Sequence, residues 1–237
     1  MRLTLSSSTP LGRSPRFLRR ARAAVARRLA IALAALALGW AIAAPAPPGA
    51  REVERIHAAA AGLGALSPLL KAASGLDDAG KLLAANRFFN ERIRFRDDVE
   101  VWGESDRWAS PLELLAKGEG DCEDFAIAKY FSLLALGIPR SQLRLVYVEA
   151  RLADASAGPR AHMVLAHYAA PGAEPAILDN LVTAVRPAEQ RSDLTPVFSF
   201  NADGMWQGLG TKPAGDPLAR LSRWREVLAL AHSEGFP

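Results

Sequence analysis

The sequence predicts an α+β fold in which helices come first and a meander of strands follows. Three observations point to it. Apolar residues recur at helical spacing between positions 52 and 94. One long apolar helix, 122–136, sits mid-chain between a Gly-rich turn and the stop made by Gly137 and Pro139. Three short β-rich segments then alternate with turn residues, as in an antiparallel sheet on which that central helix packs.

Each element has its own signal. Residues 52–73 keep helical spacing, interrupted by Gly62, Gly64 and Pro68. Residues 79–94 read as an amphipathic helix whose apolar side is Leu82, Leu83, Phe88, Phe89 and Ile93. The stretch 95–117 is irregular and carries Trp102 and Trp108, and Pro111 is placed to open a short helix. Gly118 and Gly120 form a turn, and Asp121 is suited to cap the central helix. Strands are expected over 143–152, 161–169 and 176–181, with a loop over 154–160. An aromatic segment, 196–206, and a last helix over 218–232 complete the chain.

The beginning of the chain is of a different character. Eight arginines and no acidic residue precede Arg51. An apolar run over 29–44 follows them and ends in Ala-Pro-rich sequence. A basic start, a short apolar run and a small-residue exit are the parts of a secretory signal peptide. The run is roughly 15 residues, short of the ~20 that a spanning helix needs. Residues 1–46 are therefore expected to be signal peptide and linker, cleaved near 43–46, and 47–237 one domain in the periplasm. An uncleaved membrane anchor is the other reading of the same run. The pairs Arg19-Arg20 and Arg27-Arg28 are a weak sign of twin-arginine export in so arginine-rich a segment. The net charge of +4 comes from this leader; without its eight arginines, 21 basic residues face 25 acidic ones. Nothing in that balance calls for a nucleic-acid partner.

The chain holds one cysteine, Cys122, and so no internal disulfide. Cys122 falls in the first turn of the central helix. Free backbone N–H groups and the positive end of the macrodipole favour a thiolate there, and could also receive an oxyanion. Asp121, Glu123 and Asp124 oppose the thiolate, because neighbouring negative charge raises a thiol pKa. A bound cation would relieve them; a capped helix start with solvated acids is the plainer reading. The histidines are His57, His162, His167 and His232. His162 begins a strand after a Gly/Pro loop and can reach a cleft. His167, five positions on, points to the opposite face. His57 and His232 belong to terminal helices and are expected in solvent. Asp179 interrupts the apolar run Ile177-Leu178-Asp179-Asn180-Leu181, either as a turn residue or as the carboxylate that orients an imidazole.

Helix-start Cys, strand His and strand Asp occur in the chain order of papain-like and transglutaminase-like folds. The sequence around them is more specific. Gly120-Asp121-Cys122-Glu123-Asp124-Phe125-Ala126 with Lys129-Tyr130, then Ala161-His162-Met163-Val164-Leu165, then Leu178-Asp179-Asn180-Leu181, resemble the LapG-type family of bacterial transglutaminase-like cysteine proteinases. Trp108, Pro111 and Glu113, the segment from Pro196 to Asn201, and Gly204 with Trp206 fit the same family. The resemblance runs from about Asn86 to Trp206. It implies a papain-like/transglutaminase-like domain with Cys122 as nucleophile, His162 as base and Asp179 as orienting carboxylate. It also implies a periplasmic, calcium-dependent endopeptidase, with Ca2+ held by Asp121, Glu123 and Asp124. Such an enzyme cleaves a large surface adhesin near its N-terminus at a di-alanine site, and is sequestered by a LapD-type inner-membrane receptor for cyclic di-GMP. Three carboxylates suit calcium, which takes hard oxygen ligands, although their spacing is not that of an EF-hand loop.

Two other readings remain open on the residues alone. A transglutaminase-type acyl transferase would use the same triad with an amine as acceptor. A catalytically silent module would hold a peptide on Trp102, Trp108 and Trp206. A zinc site lacks suitably spaced ligands.

Overall fold

The computed structural model describes residues 50–151 and 158–237, with side chains from His57 onward. The leader and linker expected over 1–46, and part of the loop expected over 154–160, lie outside the described residues. No helix among the described residues is long and apolar enough to cross a membrane.

Helices form the first layer. α1 (Ala50–Ala73) runs unbroken through Gly62, Gly64 and Pro68. Gly62 has a packing reason, since a Cβ there would run into the backbone of Leu112, whereas one at Gly64 meets nothing within 4 Å. α2 (Asp78–Arg92) is capped by Asp77, whose Oδ1 accepts from Gly80 N at 2.8 Å. It buries Leu82, Ala85, Asn86 and Phe89, a stripe at helical spacing. Leu83, expected on that side, stands 57% exposed, because it falls one residue off the stripe. β1 (Arg94–Phe95) and β2 (Glu119–Gly120) make a short parallel pair. Between them lie α3 (Asp98–Trp102), which the sequence pattern did not signal, and α4 (Pro111–Lys117). α4 has Pro111 at its start, a reciprocal Ser110–Glu113 capping box and Gly118 at φ 73° at its end.

α5 (Cys122–Ala135) is the central helix, with Asp121 at its N-cap position and Gly137 in the left-handed region after it. α5 packs against α2 and α4 on one side. Its other side meets two long strands, β3 (Leu143–Ala150) and β4 (Arg160–His167). The remaining strands are β5 (Ala176–Leu178), β6 (Arg186–Pro187), β7 (Leu194–Phe200), β8 (Met205–Gln207) and β9 (Pro213–Gly215). They complete a seven-stranded sheet in the order β6-β5-β4-β3-β7-β8-β9, antiparallel at every pairing. The α+β expectation holds, with helices on one face of the antiparallel sheet.

Period-two alternation divides the buried residues of β4 between two cores. Met163 and Leu165 join the main core with Phe125, Ile127 and Phe131 of α5. Val164 and Ala166 join a smaller cluster with Val146, Val148 and Ile177 on the opposite face of the sheet. The final turns are α6 (Pro217–Arg220) and α7 (Ser222–Ser233). Trp224 of α7 is fully buried, with ring centroids 5.5 Å from Tyr130, 5.9 Å from Phe131 and 5.4 Å from Phe200.

The two α1 glycines separate packing from propensity. Gly64→Ala, in open space, is expected to stabilise the fold by up to about 1 kcal/mol. Gly62→Ala, against the Leu112 backbone, is expected to destabilise it by about 1–3 kcal/mol. Urea unfolding of both variants measures the contrast.

Candidate active site

Cys122 opens α5 and is half-buried. Its thiol donates to Glu123 Oε2 at 3.0 Å, and the backbone N–H of Met163 donates to its sulfur. Burial, followed by the charges of Glu123 and Asp121, pushes the thiol well above its ordinary range. The Met163 hydrogen bond works in the opposite direction, since it favours the anion. Cys122 and His162 line the same cleft of about 330 Å³, together with Phe95, Asp97, Arg160 and Leu181.

His162 is 5% exposed, and its Nε2 lies 2.8 Å from Asp179 Oδ1. With Nε2 engaged, Nδ1 is the ring nitrogen left for proton exchange. His167 is also buried but takes the other side of β4: it shares the parity of Met163 and Leu165, toward the helices, where Asp78 is its charged neighbour. His162, by contrast, shares its cleft with Cys122 and Glu123 of α5. Burial lowers the His167 pKa, with Asp78 opposing. His57 and His232 are exposed, as expected.

Asp179 follows β5 and is 1% exposed. Its Oδ1 accepts from His162 and from Leu181 N at 3.0 Å; its Oδ2 accepts from Arg191 Nη2 at 2.6 Å. Its backbone carbonyl accepts from Asn90 Nδ2 at 2.7 Å. Burial alone would raise this carboxyl, but the hydrogen bond and charge of His162, with those from Leu181 and Arg191, hold it at about 2. Lys129, two turns along α5 from Cys122, is 1% exposed and donates to Asn90 Oδ1 at 2.8 Å. Burial lowers its ammonium to about 7 against the pull of Asp179. Lys129 stood in the sequence only as part of the family motif, with no role attached, and Asn90 and Arg191 were not signalled at all. A buried Arg or Lys has no local pattern of its own.

The acidic residues around Cys122 divide into two groups. Asp121 and Asp124 meet Asp98, the first residue of α3, with one carboxylate oxygen of each within 4.8 Å of the others. Glu123 instead groups with Asp121 and the thiol. Asp124 Oδ1 accepts from Ala109 N at 2.7 Å, and its Oδ2 from Asp121 N at 3.4 Å. Asp98 Oδ2 accepts from Arg107 N, but Asp98 Oδ1 and Asp121 Oδ1 are buried without a hydrogen-bond partner. Burial and mutual repulsion raise all three carboxyls, Asp98 to about 6 and Asp124 to about 8. Converging carboxylates with orphaned oxygens suit a hard cation. Asp98 was missed because an acid in the first turn of a short helix reads as ordinary complement to the helix dipole.

Trp102, Trp108 and Trp206 are half-buried. Arg107 lies 4.2 Å from the Trp102 ring, Phe200 stacks on Trp108 at 6.0 Å, and Arg144 lies 3.8 Å from Trp206. None of the three is an exposed platform for a peptide.

Residues 70–206, more than half of the chain, match the family described as bacterial transglutaminase-like cysteine proteinase (Peptidase_C93, BTLCP). The chain belongs to the bacterial transglutaminase-like cysteine proteinases. Among solved structures, an EGTA-treated Legionella pneumophila LapG aligns with a TM-score of 0.63 at 36% identity, covering 72% of this chain and 88% of that one. A calcium-bound form of the same protein aligns with a TM-score of 0.61 at 36% identity, covering 71% and 88%. A comparison with curated protein sequences finds no match. The proteinase is thus LapG-like in sequence and in fold.

The acidic cluster sets a pH dependence on the metal-free proteinase. Carboxyls raised in the folded state contribute stability that is full below their unfolded pKa and is lost as pH rises through the folded values. The melting temperature of the chelator-treated protein is therefore expected to fall between about pH 5 and pH 8, the window set by Asp98 and Asp124. Asp98→Asn should flatten that fall; a melting temperature that climbs across the window would contradict the sign.

Proposed function

We propose that this proteinase is a calcium-dependent endopeptidase in which Cys122, His162 and Asp179 form the catalytic triad. The observation that carries the reading is the buried His162–Asp179 hydrogen bond at 2.8 Å, on a cleft that also holds the chain's sole cysteine at a helix N-terminus. Nδ1 of His162 takes the thiol proton, and the Sγ anion attacks the scissile carbonyl carbon. N–H groups of the first turn of α5 receive the oxyanion. The imidazolium then protonates the departing amine, leaving a thioester on Cys122. Water, deprotonated by His162, attacks the thioester, and the released thiol regains its proton. Asp179 stays ionised throughout, holding the proton on Nε2 and offsetting the imidazolium charge.

Asp98, Asp121 and Asp124 are the residues that would hold calcium, with Glu123 beside them at the thiol. When bound, the cation would neutralise carboxylates that otherwise raise the thiol pKa. The likeness to a LapG solved in a calcium-bound form supports this assignment. Export to the periplasm is supported by the basic and apolar leader. Cleavage of a large surface adhesin near its N-terminus at a di-alanine site, and sequestration by a LapD-type cyclic di-GMP receptor, follow from the LapG likeness alone.

The test is mass spectrometry of an adhesin N-terminal fragment incubated with the protein in calcium, in excess chelator, and after calcium is restored. Cleavage by hydrolysis, reversible loss in chelator, and no product from Cys122→Ala are expected. Full activity in chelator would remove calcium from the proposal. A product bearing an added amine would make the enzyme an acyl transferase. Asp98→Asn should weaken calcium binding, read by calorimetry, at least about tenfold, since ligand charge count tunes such sites.

His162→Ala should abolish cleavage and also lower the melting temperature, since it removes a buried partner of Asp179. His167→Ala should lower the melting temperature and leave the rate within about threefold, because it leaves a gap on the helix-facing side of β4. The reverse pattern would exchange the two assignments.

A further inference from the structure

Arg191 is a buried cation that the mechanism above leaves without a role. It is 3% exposed and lies directly behind the orienting carboxylate. Its Nε and Nη2 hold Asp193 as a fork, at 2.9 Å to Oδ1 and 2.7 Å to Oδ2. That leaves the second hydrogen of Nη2 for Asp179 Oδ2, at 2.6 Å. Asp193 therefore fixes the plane of the guanidinium, and the guanidinium fixes the plane of the Asp179 carboxylate. The other oxygen of that carboxylate carries His162. Arg191 reaches the triad from the side of the second core, and lines a cavity of about 280 Å³ with Val146, Val148, Val164 and Ile177. The acids Glu174 and Glu189 line the same cavity.

We propose that Arg191 is a positioning residue for the triad, locking Asp179 ionised and in plane so that His162 is held in its Nε2–H tautomer with Nδ1 free. The inference rests on the triad reading. The charged and titratable groups around Asp179 are His162 from β4, Arg191 and, beyond it, Asp193 from the segment before β7, and Lys129 from α5 acting through Asn90. Only Arg191 and His162 among them donate a side-chain hydrogen bond to the Asp179 carboxylate. Replacing the guanidinium with a neutral group leaves Oδ2 buried without its cation. The carboxyl then rises toward the ordinary range, and its hold on one imidazole tautomer loosens.

The test reads His162 directly, in the full chain with calcium present. The four histidines are few enough to resolve after 15N labelling of their rings. Wild type should show neutral His162 protonated at Nε2. Arg191→Gln should show a mixture of tautomers, and the rate of Cys122 alkylation by iodoacetamide at neutral pH should fall about tenfold, as for a loss of one pKa unit of stabilisation. Arg191→Lys, which keeps the charge without the fork, should retain the tautomer and lose less rate. A single tautomer and a wild-type rate in Arg191→Gln would overturn the inference. Should Arg191→Gln not melt cooperatively, Asp193→Asn decides: mixed tautomers support the inference, and an unchanged spectrum with an unchanged rate overturns it. Asp179→Asn separates the two levels. If it too leaves tautomer and rate unchanged, the triad reading fails; if it disturbs both while Arg191→Gln does not, only the role of Arg191 falls.

Discussion

The first turn of α5 carries a conflict of charge around which much of the domain is arranged. A thiol that must become an anion stands between Asp121 and Glu123, with Asp124 and Asp98 close behind. Burial makes the conflict worse, because carboxylates within 4.8 Å of one another are poorly screened there. Two devices answer it. The Met163 N–H stabilises the sulfur, and the converging carboxylates leave two orphaned oxygens that a cation would satisfy. The short parallel pairing of β1 with β2 fastens the strand ahead of Asp98 to the strand ahead of Asp121. The backbone thus fixes the spacing of the two segments that supply the acids.

A second charge problem lies across the cleft and is solved in the opposite sense. Asp179 is as buried as Asp124, yet its carboxyl sits at about 2 where that of Asp124 sits at about 8. The difference is in partners. Asp124 accepts only backbone N–H groups and faces other acids, whereas Asp179 accepts from an imidazole, a guanidinium and a backbone N–H. Equal burial gives opposite protonation, and each result suits its site: an anion that steadies an imidazole, and a cluster that needs a cation.

Much of this was legible in the sequence where signals are local. Gly118, Asp121 and Gly137 marked the limits of α5, and β-rich composition between turn residues marked the two long strands. Of the triad candidates, His162 bonds Asp179 and shares a cleft with Cys122. Leu83 was misplaced because hydropathy alone does not distinguish neighbours on a helix face. What stayed hidden depends on contacts between distant segments. Asp98 joins Asp121 only through the β1–β2 pairing, and Arg191 meets Asp179 only because β5, β6 and the turn after them fold back over the second core. Gly62 looked like a helix breaker, and its use lies in the Leu112 backbone fifty positions on.

The region matched by the family, 70–206, is shorter than the unit that folds. Trp224 lies beyond it, yet its ring touches Tyr130 and Phe131 on the far part of α5 and Phe200 at the end of β7. α1 begins before it and closes against α4, the helix just upstream of the Cys122 turn. A protein trimmed to the shared region would keep every residue of the cleft and lose the floor and one wall beneath it. Limits drawn from shared sequence therefore mark what relatives have in common, while the interior here is sealed by rings beyond them, Trp224 and Phe236.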